Sequence, residues 1–293
     1  MEKRAPGKSA YVSPRKEPDR AQIYSGTFEG KTTGAPISII IENRDVDSSK
    51  YAPIKDLLRP GHANYTYLEK YGIFDDRGSG RASARETACR VAAGAVAQKL
   101  LNHFGVELFT FLQSAGGVEG EKEMMAAIEK AKEEGDSLGG VVAFIADHVP
   151  VGLGDPVYEK LHANLSKALM SLPAAKGFEI GEGFKAASMQ GSLHNDLFTL
   201  QEGKVKTETN HAGGMLGGIS SGMPICGRVA FKPAPSIMKP QKTINKNKEE
   251  TTLTLPEGSR HDPCVAIRAV PVVEAMCALV IADALLMNRS AKL

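Results

Sequence analysis

Two arginines and a serine lie close together where a helix is predicted to begin, in the stretch RASARET over residues 81–87. Ser83, with Glu86 three residues later, forms a capping box, which is typical of a helix N-terminus. Backbone N–H groups at such an end point outward, and the helix dipole adds partial positive charge. Together with Arg81 and Arg85 they can cradle a phosphate or a carboxylate. A capped helix with solvated arginines explains the stretch equally well.

A second candidate site is rich in glycine. Residues 213–222 read GGMLGGISSG, and their five glycines allow positive φ and close approach of the backbone to a flat ligand. The GxGxxG spacing after a strand is missing, so a dinucleotide-binding fold does not follow, and a run of tight turns is the simpler explanation. Residues 232–236, KPAPS, follow a predicted strand. Their two prolines stiffen the backbone and can hold Lys232 and Ser236 toward a phosphate.

Two histidines lie in loops marked by proline, His62 in RPGH and His261 in RHDP. Imidazole has a pKa of about 6.5, which suits proton transfer, although a single loop histidine is more often an ordinary surface or packing residue. Asp262 could orient His261, but adjacent side chains of an extended chain point to opposite sides. The sequence has no HExxH motif, nucleophile elbow, P-loop or zinc-ligand spacing. No metal site is therefore predicted.

The composition is that of an ordinary soluble globular protein. Of 293 residues, 36 are Lys or Arg and 34 are Asp or Glu, and 42% are hydrophobic. These values exclude a disordered acidic tail, a collagen-like repeat and a histone-like protein. With charge nearly balanced, nucleic-acid binding would rest on a basic N-terminus alone, so no nucleic-acid partner is predicted. The four cysteines show no CxxC spacing, which favours reduced packing residues in a cytoplasmic protein.

Neither a secretory signal nor a membrane span is predicted. The first twenty residues are charged and contain no apolar run. Residues 270–287 are long and apolar enough to cross a bilayer, but they include Glu274 and Asp283. Each acidic residue costs about 3 kcal/mol at the centre of a membrane helix. A helix buried in a protein core or a subunit interface fits better.

The positioning elements follow from hydrophobic periodicity and turn signals. Helices are predicted over residues 83–104 and 121–134 and from Asp155 to Leu172, where Asp155-Pro156 would start the helix. Strands are predicted over residues 37–41, 106–112, 141–149, 178–180 and 228–231. Residues 239–250 are polar and predicted as a mobile loop, and residues 1–20 as a basic, loosely structured arm. The mixture predicts a single α+β or layered α/β domain over residues 21–293.

Seven blocks of sequence, taken together and in this order, resemble the chorismate synthase family. Five of them are RPGHANYTYLEKYG (59–72), GSGRASARETACRVAAGAVAQK (78–99), NHAGGMLGGISSGMPI (210–225), FKPAPSI (231–237) and RHDPCVAIRAVPVVEAM (260–276), and the others lie within residues 25–43 and 154–184. The blocks run through almost the whole chain. Their number and order are far more specific than any single one.

The resemblance implies an α+β fold with a β–α–β sandwich core, assembled as a cytoplasmic homotetramer. It implies a lyase that uses reduced FMN to convert the small molecule 5-enolpyruvylshikimate 3-phosphate to chorismate. That reaction is a 1,4-elimination of phosphate without net redox change, and it belongs to the shikimate pathway of aromatic amino acid biosynthesis. Whether the chain also reduces its flavin with NADPH, as some relatives do, is left open.

The resemblance also assigns roles by position. It implies that His62 protonates the reduced flavin and that Asp262 assists proton transfer near the flavin N5. Substrate anions would be held by Arg4, Arg85 and Arg268. The implied flavin contacts, in which Ala82 replaces a serine of the family's RSS motif, are Arg81, Ala82, Ser83, Pro173, Ala174, Gly217, Lys232, Pro233, Ala234, Pro235, Ser236 and Arg260.

Three departures from the family pattern set up an alternative. The chain starts after the point where relatives carry a GESHG-like segment with a second catalytic histidine, the span between Leu112 and Glu121 is short, and Ser259 replaces a glycine. The alternative to an active chorismate synthase is therefore a truncated, catalytically impaired scaffold protein that binds FMN.

Overall fold

The computed structural model describes residues 1–7, 9 and 11–291. Within these residues the helices are α1 (Asn64–Tyr71), α2 (Thr87–His103), α3 (Glu121–Glu133), α4 (Leu161–Met170), α5 (Gly191–His194) and α6 (Val265–Met287). The strands are β1 (Ala21–Ser25), β2 (Thr27–Phe28), β3 (Lys31–Thr32), β4 (Ser38–Ile41), β5 (Glu107–Ala115), β6 (Gly140–Asp147), β7 (Ala175–Ile180), β8 (Phe198–Gln201), β9 (Lys204–Thr207), β10 (Met215–Leu216), β11 (Ile219–Ser220), β12 (Ile225–Phe231), β13 (Gln241–Ile244) and β14 (Glu250–Leu253). The mixture of helices and sheets confirms the α+β class.

The chain divides into two compact units. Unit 1 comprises Met1–Cys89, Ser114–Gly140 and Lys232–Arg268. Unit 2 comprises Arg90–Gln113, Val141–Phe231 and Ala269–Leu293. The one domain expected over residues 21–293 stays a prediction.

Unit 2 is built largely on a four-stranded sheet of order β5–β6–β12–β7. Along β6 every second side chain is buried, which is the period-two pattern of a strand with one face in a core. Its Phe144 stacks on Phe178 of β7, with ring centroids 6.3 Å apart. Helix α4 packs with β7 and buries Leu161, Leu165 and Leu169 completely or almost so. The predicted strands of this region are thus confirmed.

Within unit 2, α2 and α6 approach closely because one contact residue is a glycine. A Cβ built on Gly94 would lie 2.3 Å from the Cβ of Ala275. Helix α6 is long and apolar enough, with the turn that follows it, to cross a membrane, and 56% of its most apolar window is buried. Val273, Cys277 and Ile281 are fully buried, as expected of a core helix.

The described residues among 1–20 include several buried side chains, which differs from the expectation of a loosely structured basic arm. Arg4, Ala5 and Asp19 are at most 3% exposed. A buried guanidinium needs a partner, and Arg4 has one in Asp19 at 2.8 Å. Lys8 and Ala10 of this segment lie outside the described residues.

The predicted start of one helix and the predicted state of one loop are wrong. Helix α4 begins at Leu161 rather than Asp155, because Gly154 and Val157 both have positive φ and interrupt helical geometry. Residues 239–250 contain most of a β13–β14 hairpin instead of a mobile loop. Its Leu253 packs with Ile54 and Leu255 in a small core of unit 1.

The close contact at Gly94 predicts that the addition of a single methyl group there destabilises the protein. We expect Gly94→Ala to lower the free energy of unfolding by about 1–3 kcal/mol, because the added methyl overpacks the α2–α6 contact. Urea denaturation measures it. Gly191→Ala is the control, since none of the described atoms lies within 4 Å of a Cβ built there; equal stability of the two variants would contradict the close approach.

Candidate active site

Unit 1 contains a cleft of about 290 Å³ formed by loops near residues 43–51, 75–85 and 255–261. Six cationic side chains line it against three carboxylates, so that positive charge predominates. The cations are Arg15, Lys50, Arg59, Arg77, Arg85 and Arg260, and the carboxylates are Asp45, Asp47 and Asp75. An excess of positive charge in a concave site favours anionic ligands.

The RASARET stretch forms two 3₁₀ turns ahead of α2. The first covers Gly80–Ala82 and the second Ala84–Glu86. Ser83 caps the second turn, where its Oγ accepts a hydrogen bond from Arg85 N at 3.3 Å. The helix itself starts at Thr87, four residues later than predicted. Ser83 and Arg85 line the cleft, whereas Arg81 is exposed and Ala82 half-buried outside its lining.

Asp19 joins two of the arginines predicted to bind substrate. Its fully buried carboxylate accepts from Arg4 Nη1 at 2.8 Å and from Arg85 Nη1. Burial acts to raise the pKa of Asp19, but the hydrogen bonds from Arg85 and Arg4 outweigh it and lower the pKa. Arg4 also donates to Thr87 Oγ1 and the Ala84 carbonyl. Arg4 thus helps to hold the carboxylate that orients Arg85. Direct contact between Arg4 and the substrate stays a prediction.

Arg260 is held by Asp45 at the edge of the cleft. Arg260 Nη1 lies 2.8 and 2.7 Å from the two oxygens of Asp45. The same carboxylate accepts from Lys16 N at 2.9 Å. The hydrogen bond from Arg260 is the main cause that lowers the pKa of Asp45. Arg260 therefore presents a fixed guanidinium to the cleft.

Asp262 binds Ser13 and Arg268 rather than orienting His261. Its Oδ1 accepts from Ser13 N at 2.7 Å and its Oδ2 from Arg268 Nη1 at 2.9 Å. Arg268 Nε in turn donates to the carbonyl of Arg4 at 2.9 Å. Asp262, Arg268 and Arg4 thus form one connected network.

Gly61, the residue before His62, lies against the KPAPS segment. Lys232 Nζ donates to the carbonyl of Gly61 at 2.5 Å, and a Cβ on Gly61 would lie 3.1 Å from Pro235. The segment is anchored where Ser137 Oγ donates to the Ala234 carbonyl at 2.7 Å. Pro233 is exposed and Ser236 half-buried.

Burial and cations keep His62 neutral. Its pKa is lowered to about 3 by burial, then by Arg59, Lys232 and His261. Arg59 Nη2 lies 3.1 Å from Nδ1 and 3.0 Å from Nε2 of His62, and donates to Ser79 Oγ at 2.6 Å. At neutral pH a neutral imidazole results, and an anion bound beside it would raise its pKa.

Sequence reasoning missed Arg59 as a site residue. Its place three residues before His62 in RPGH was the available signal. Arg59 lines the cleft together with His261. The pKa of His261 is lowered to about 4, first by burial and then by Arg59.

The remaining predicted flavin contacts lie in unit 2. Pro173 and Ala174 form the turn between α4 and β7, where Ala174 has a φ of 69°. Gly217 is an exposed residue of the Gly217–Gly218 turn that joins β10 to β11, with a φ of 62°. Positive φ is the reason for glycine at this turn.

The described part of the chain shows neither a disulfide nor a metal cluster. Cys89, Cys226, Cys264 and Cys277 are all free thiols. Among the described residues no group of three His, Cys, Asp or Glu side chains is arranged to hold a metal ion. The polar side chains that line the cleft of unit 1 carry guanidinium, ammonium, hydroxyl, carboxylate, amide and imidazole groups. They suit anion binding and proton transfer.

Comparisons with known proteins all match this chain to the same family. The family model of chorismate synthase matches residues 1–286. The chorismate synthase of Protochlamydia amoebophila is 54% identical over 99% of this chain and 87% of that protein. The chorismate synthase of Methanococcoides burtonii is 48% identical over 97% of this chain and 84% of that protein. A crystal structure of chorismate synthase matches with a TM-score of 0.72 and 33% identity, over 92% of this chain and 79% of that one.

The neutral histidines predict acid sensitivity. His62 and His261 have folded pKa values of about 3 and about 4, below the value of about 6.5 in an unfolded chain. The unfolded state therefore binds more protons, and stability is lost as pH falls below about 6.5. We expect each histidine to contribute about 2 kcal/mol of the loss in unfolding free energy between pH 7 and pH 5.

Urea denaturation at both pH values checks this expectation. His62→Gln and His261→Gln should each reduce the loss by that amount. His103→Gln, at an exposed position, should leave it unchanged. If the two histidine variants lose as much stability as the parent protein, these histidines are not held neutral.

Proposed function

The chain belongs to the chorismate synthase family, and we propose that it eliminates phosphate from 5-enolpyruvylshikimate 3-phosphate to form chorismate, with reduced FMN as its cofactor. Family membership makes it a lyase of the shikimate pathway. The observation that carries the proposal is the cationic cleft of unit 1, with six cations against three carboxylates.

The substrate is a small molecule with one phosphate and two carboxylates, so its binding needs several fixed cations. Arg85 and Arg260 line the cleft, and each is oriented by a carboxylate of its own chain. Guanidinium groups bind phosphate and carboxylate in planar, two-point contacts. Because side chains on the protein hold these two groups in place, less conformational entropy is lost when the substrate binds.

The donor set also fits FMN. Ser83 and Arg260 line the cleft, and Lys232 lies in a segment stiffened by two prolines beside Gly61. Hydroxyl, guanidinium and ammonium groups suit the phosphate and the polar ring edge of a flavin. Flavin contacts from Arg81, Ala82, Pro173, Ala174 and Gly217 are part of the proposal. When bound, reduced FMN would supply an electron-rich ring to the elimination.

His62 is proposed as the proton-transfer residue. In the ligand-free chain its imidazole is neutral because burial and the neighbouring cations lower its pKa to about 3. Binding of anions in the cleft offsets those cations and raises its pKa, so that it takes up a proton when the ligands arrive. Asp262, fixed by Ser13 and Arg268, would serve as the second proton-handling group.

Assembly, location and flavin reduction complete the proposal. We propose a cytoplasmic homotetramer that binds no nucleic acid and no membrane. Unit 2 exposes large apolar side chains at Phe184, Phe198 and Leu200, each at least 68% exposed, and subunit contacts commonly cover such side chains. Sedimentation measures the assembly, and oxidation of NADPH in the presence of FMN tests for reductase activity.

The function is tested under anaerobic conditions with the purified chain, reduced FMN and 5-enolpyruvylshikimate 3-phosphate. We expect equal amounts of phosphate and chorismate to be released, without consumption of the flavin, because the reaction has no net redox change. Flavin binding without phosphate release would instead support the scaffold alternative. Absence of both binding and turnover would contradict the proposal as a whole.

Replacement of His62 tests its role. We expect His62→Gln to lower kcat by about 10²–10⁴-fold if the imidazole transfers a proton, with a smaller effect on KM. Steady-state kinetics with reduced FMN measure both constants. His103→Gln, an exposed histidine of α2, is the control and should keep the parent rate. A decrease in kcat below tenfold would reduce His62 to a packing residue.

A further inference from the structure

A buried carboxylate lies at the base of the β8–β9 hairpin in unit 2. The hairpin is antiparallel, with Phe198 opposite Thr207. Two residues further out on each strand, this register places Asp196 across from Thr209. The Asp196 side chain is 6% exposed, and a buried carboxylate must be satisfied by donors.

Asp196 receives its donors from the segment that leads into the glycine-rich residues. Its Oδ1 accepts from Thr209 Oγ1 at 2.6 Å and from His211 N at 2.8 Å. Its Oδ2 accepts from Ala212 N at 2.9 Å. The His211 ring adds Nδ1 at 3.3 Å from Oδ1 and 3.2 Å from the His194 carbonyl. Since both neighbours are acceptors, Nδ1 carries the hydrogen.

Asn210 fixes the same segment from its other side. Its Oδ1 accepts from Gly214 N at 2.8 Å, and its Nδ2 donates to the Pro224 carbonyl at 2.8 Å. Ser221 N then donates to the Gly214 carbonyl at 2.9 Å. The two ends of the segment 213–222 are thus tied together, and the Gly217 turn lies between them.

Close packing leaves this segment little room to adjust. A Cβ on Gly213 would lie 2.4 Å from Gly181 N, and a Cβ on Gly181 would lie 2.1 Å from the His211 carbonyl. The backbone of residues 211–213 is therefore pressed against the end of β7. In contrast, none of the described atoms lies within 4 Å of a Cβ built on Gly217. Residues 211–213 at the base of the segment are thus fixed by close packing, whereas Gly217 at its tip has open space around it.

We propose that Asp196, with Asn210, is a positioning residue that sets the Gly217 turn for contact with the flavin. The proposal rests on the proposed function for the identity of the ligand. Asp196 does not touch the flavin itself. It acts through the N–H groups of His211 and Ala212, which it holds in one geometry before any ligand binds.

Asp196→Asn tests the proposal, because an amide keeps the shape but presents an NH₂ group to one of the backbone donors. We expect hydrogen exchange of the ligand-free protein to become about tenfold faster at residues 211–218, since charge-assisted hydrogen bonds to the carboxylate are lost. Anaerobic titration should show reduced FMN bound about tenfold more weakly, with kcat at saturating flavin changed much less. Asp147→Asn is the matched control in unit 2, where the described contacts of the carboxylate are all with its neighbour, a hydrogen bond from His148 N at 2.7 Å and the His148 ring Nε2 at 3.8 Å.

A milder variant covers the case in which Asp196→Asn does not fold. Thr209→Val removes a single hydroxyl from Asp196 and should give about a threefold effect on both measurements. Parent-like exchange and parent-like FMN binding in the variants would overturn the proposal while leaving the proposed function intact. If the parent protein neither binds FMN nor catalyses the reaction, the proposed function fails. Parent-like hydrogen exchange in the variants would still show that Asp196 does not position the Gly217 turn.

Discussion

Mutual repulsion of cations is the constraint on which unit 1 depends. A cleft for a phosphate and two carboxylates needs several guanidinium groups close together, and these groups repel one another without a ligand. The chain supplies its own anions to prevent this. Asp19 lies between Arg4 and Arg85, Asp45 holds Arg260, and Asp262 holds Arg268. Each carboxylate also orients its arginine, so that the cleft is arranged before a ligand arrives.

The same distribution of charged side chains helps to explain why His62 is neutral. Asp19 and Asp45 pair with Arg85 and Arg260, whereas burial and the nearby cations Arg59 and Lys232 lower the pKa of the His62 imidazole. In the proposed mechanism an anionic ligand supplies the partner that His62 lacks. Binding and protonation would then be coupled, because the bound anion raises the pKa of the histidine. A histidine exposed to solvent would be partly protonated at neutral pH regardless of the ligand.

Local patterns predicted the regular elements well and the loops poorly. The apolar run of β6, the apolar spacing of α2 and the charged helix α3 follow from local sequence, and the structure confirms these elements. The start of α4 depended on positive φ at Val157, a β-branched residue that gives no such signal. The burial of Asp19 in the N-terminal segment depends on its contact with Arg85, 66 residues away. Such a contact between distant residues cannot be read from a window of sequence, so charge alone suggested a loose arm.

In both units a buried carboxylate accepts hydrogen bonds from the backbone of a loop and holds it in place. Functional loops lack regular backbone pairing, so that their N–H groups need other acceptors. In unit 1 Glu17, only 4% exposed, accepts from Arg44 N and Asp45 N, and so places the carboxylate that holds Arg260. In unit 2 Asp196 does the same for His211 N and Ala212 N. A buried carboxylate with two backbone donors is strongly directional, and it fixes a loop without closing it. Loops of this kind can hold ligand-binding groups accurately while leaving their tips open to the ligand.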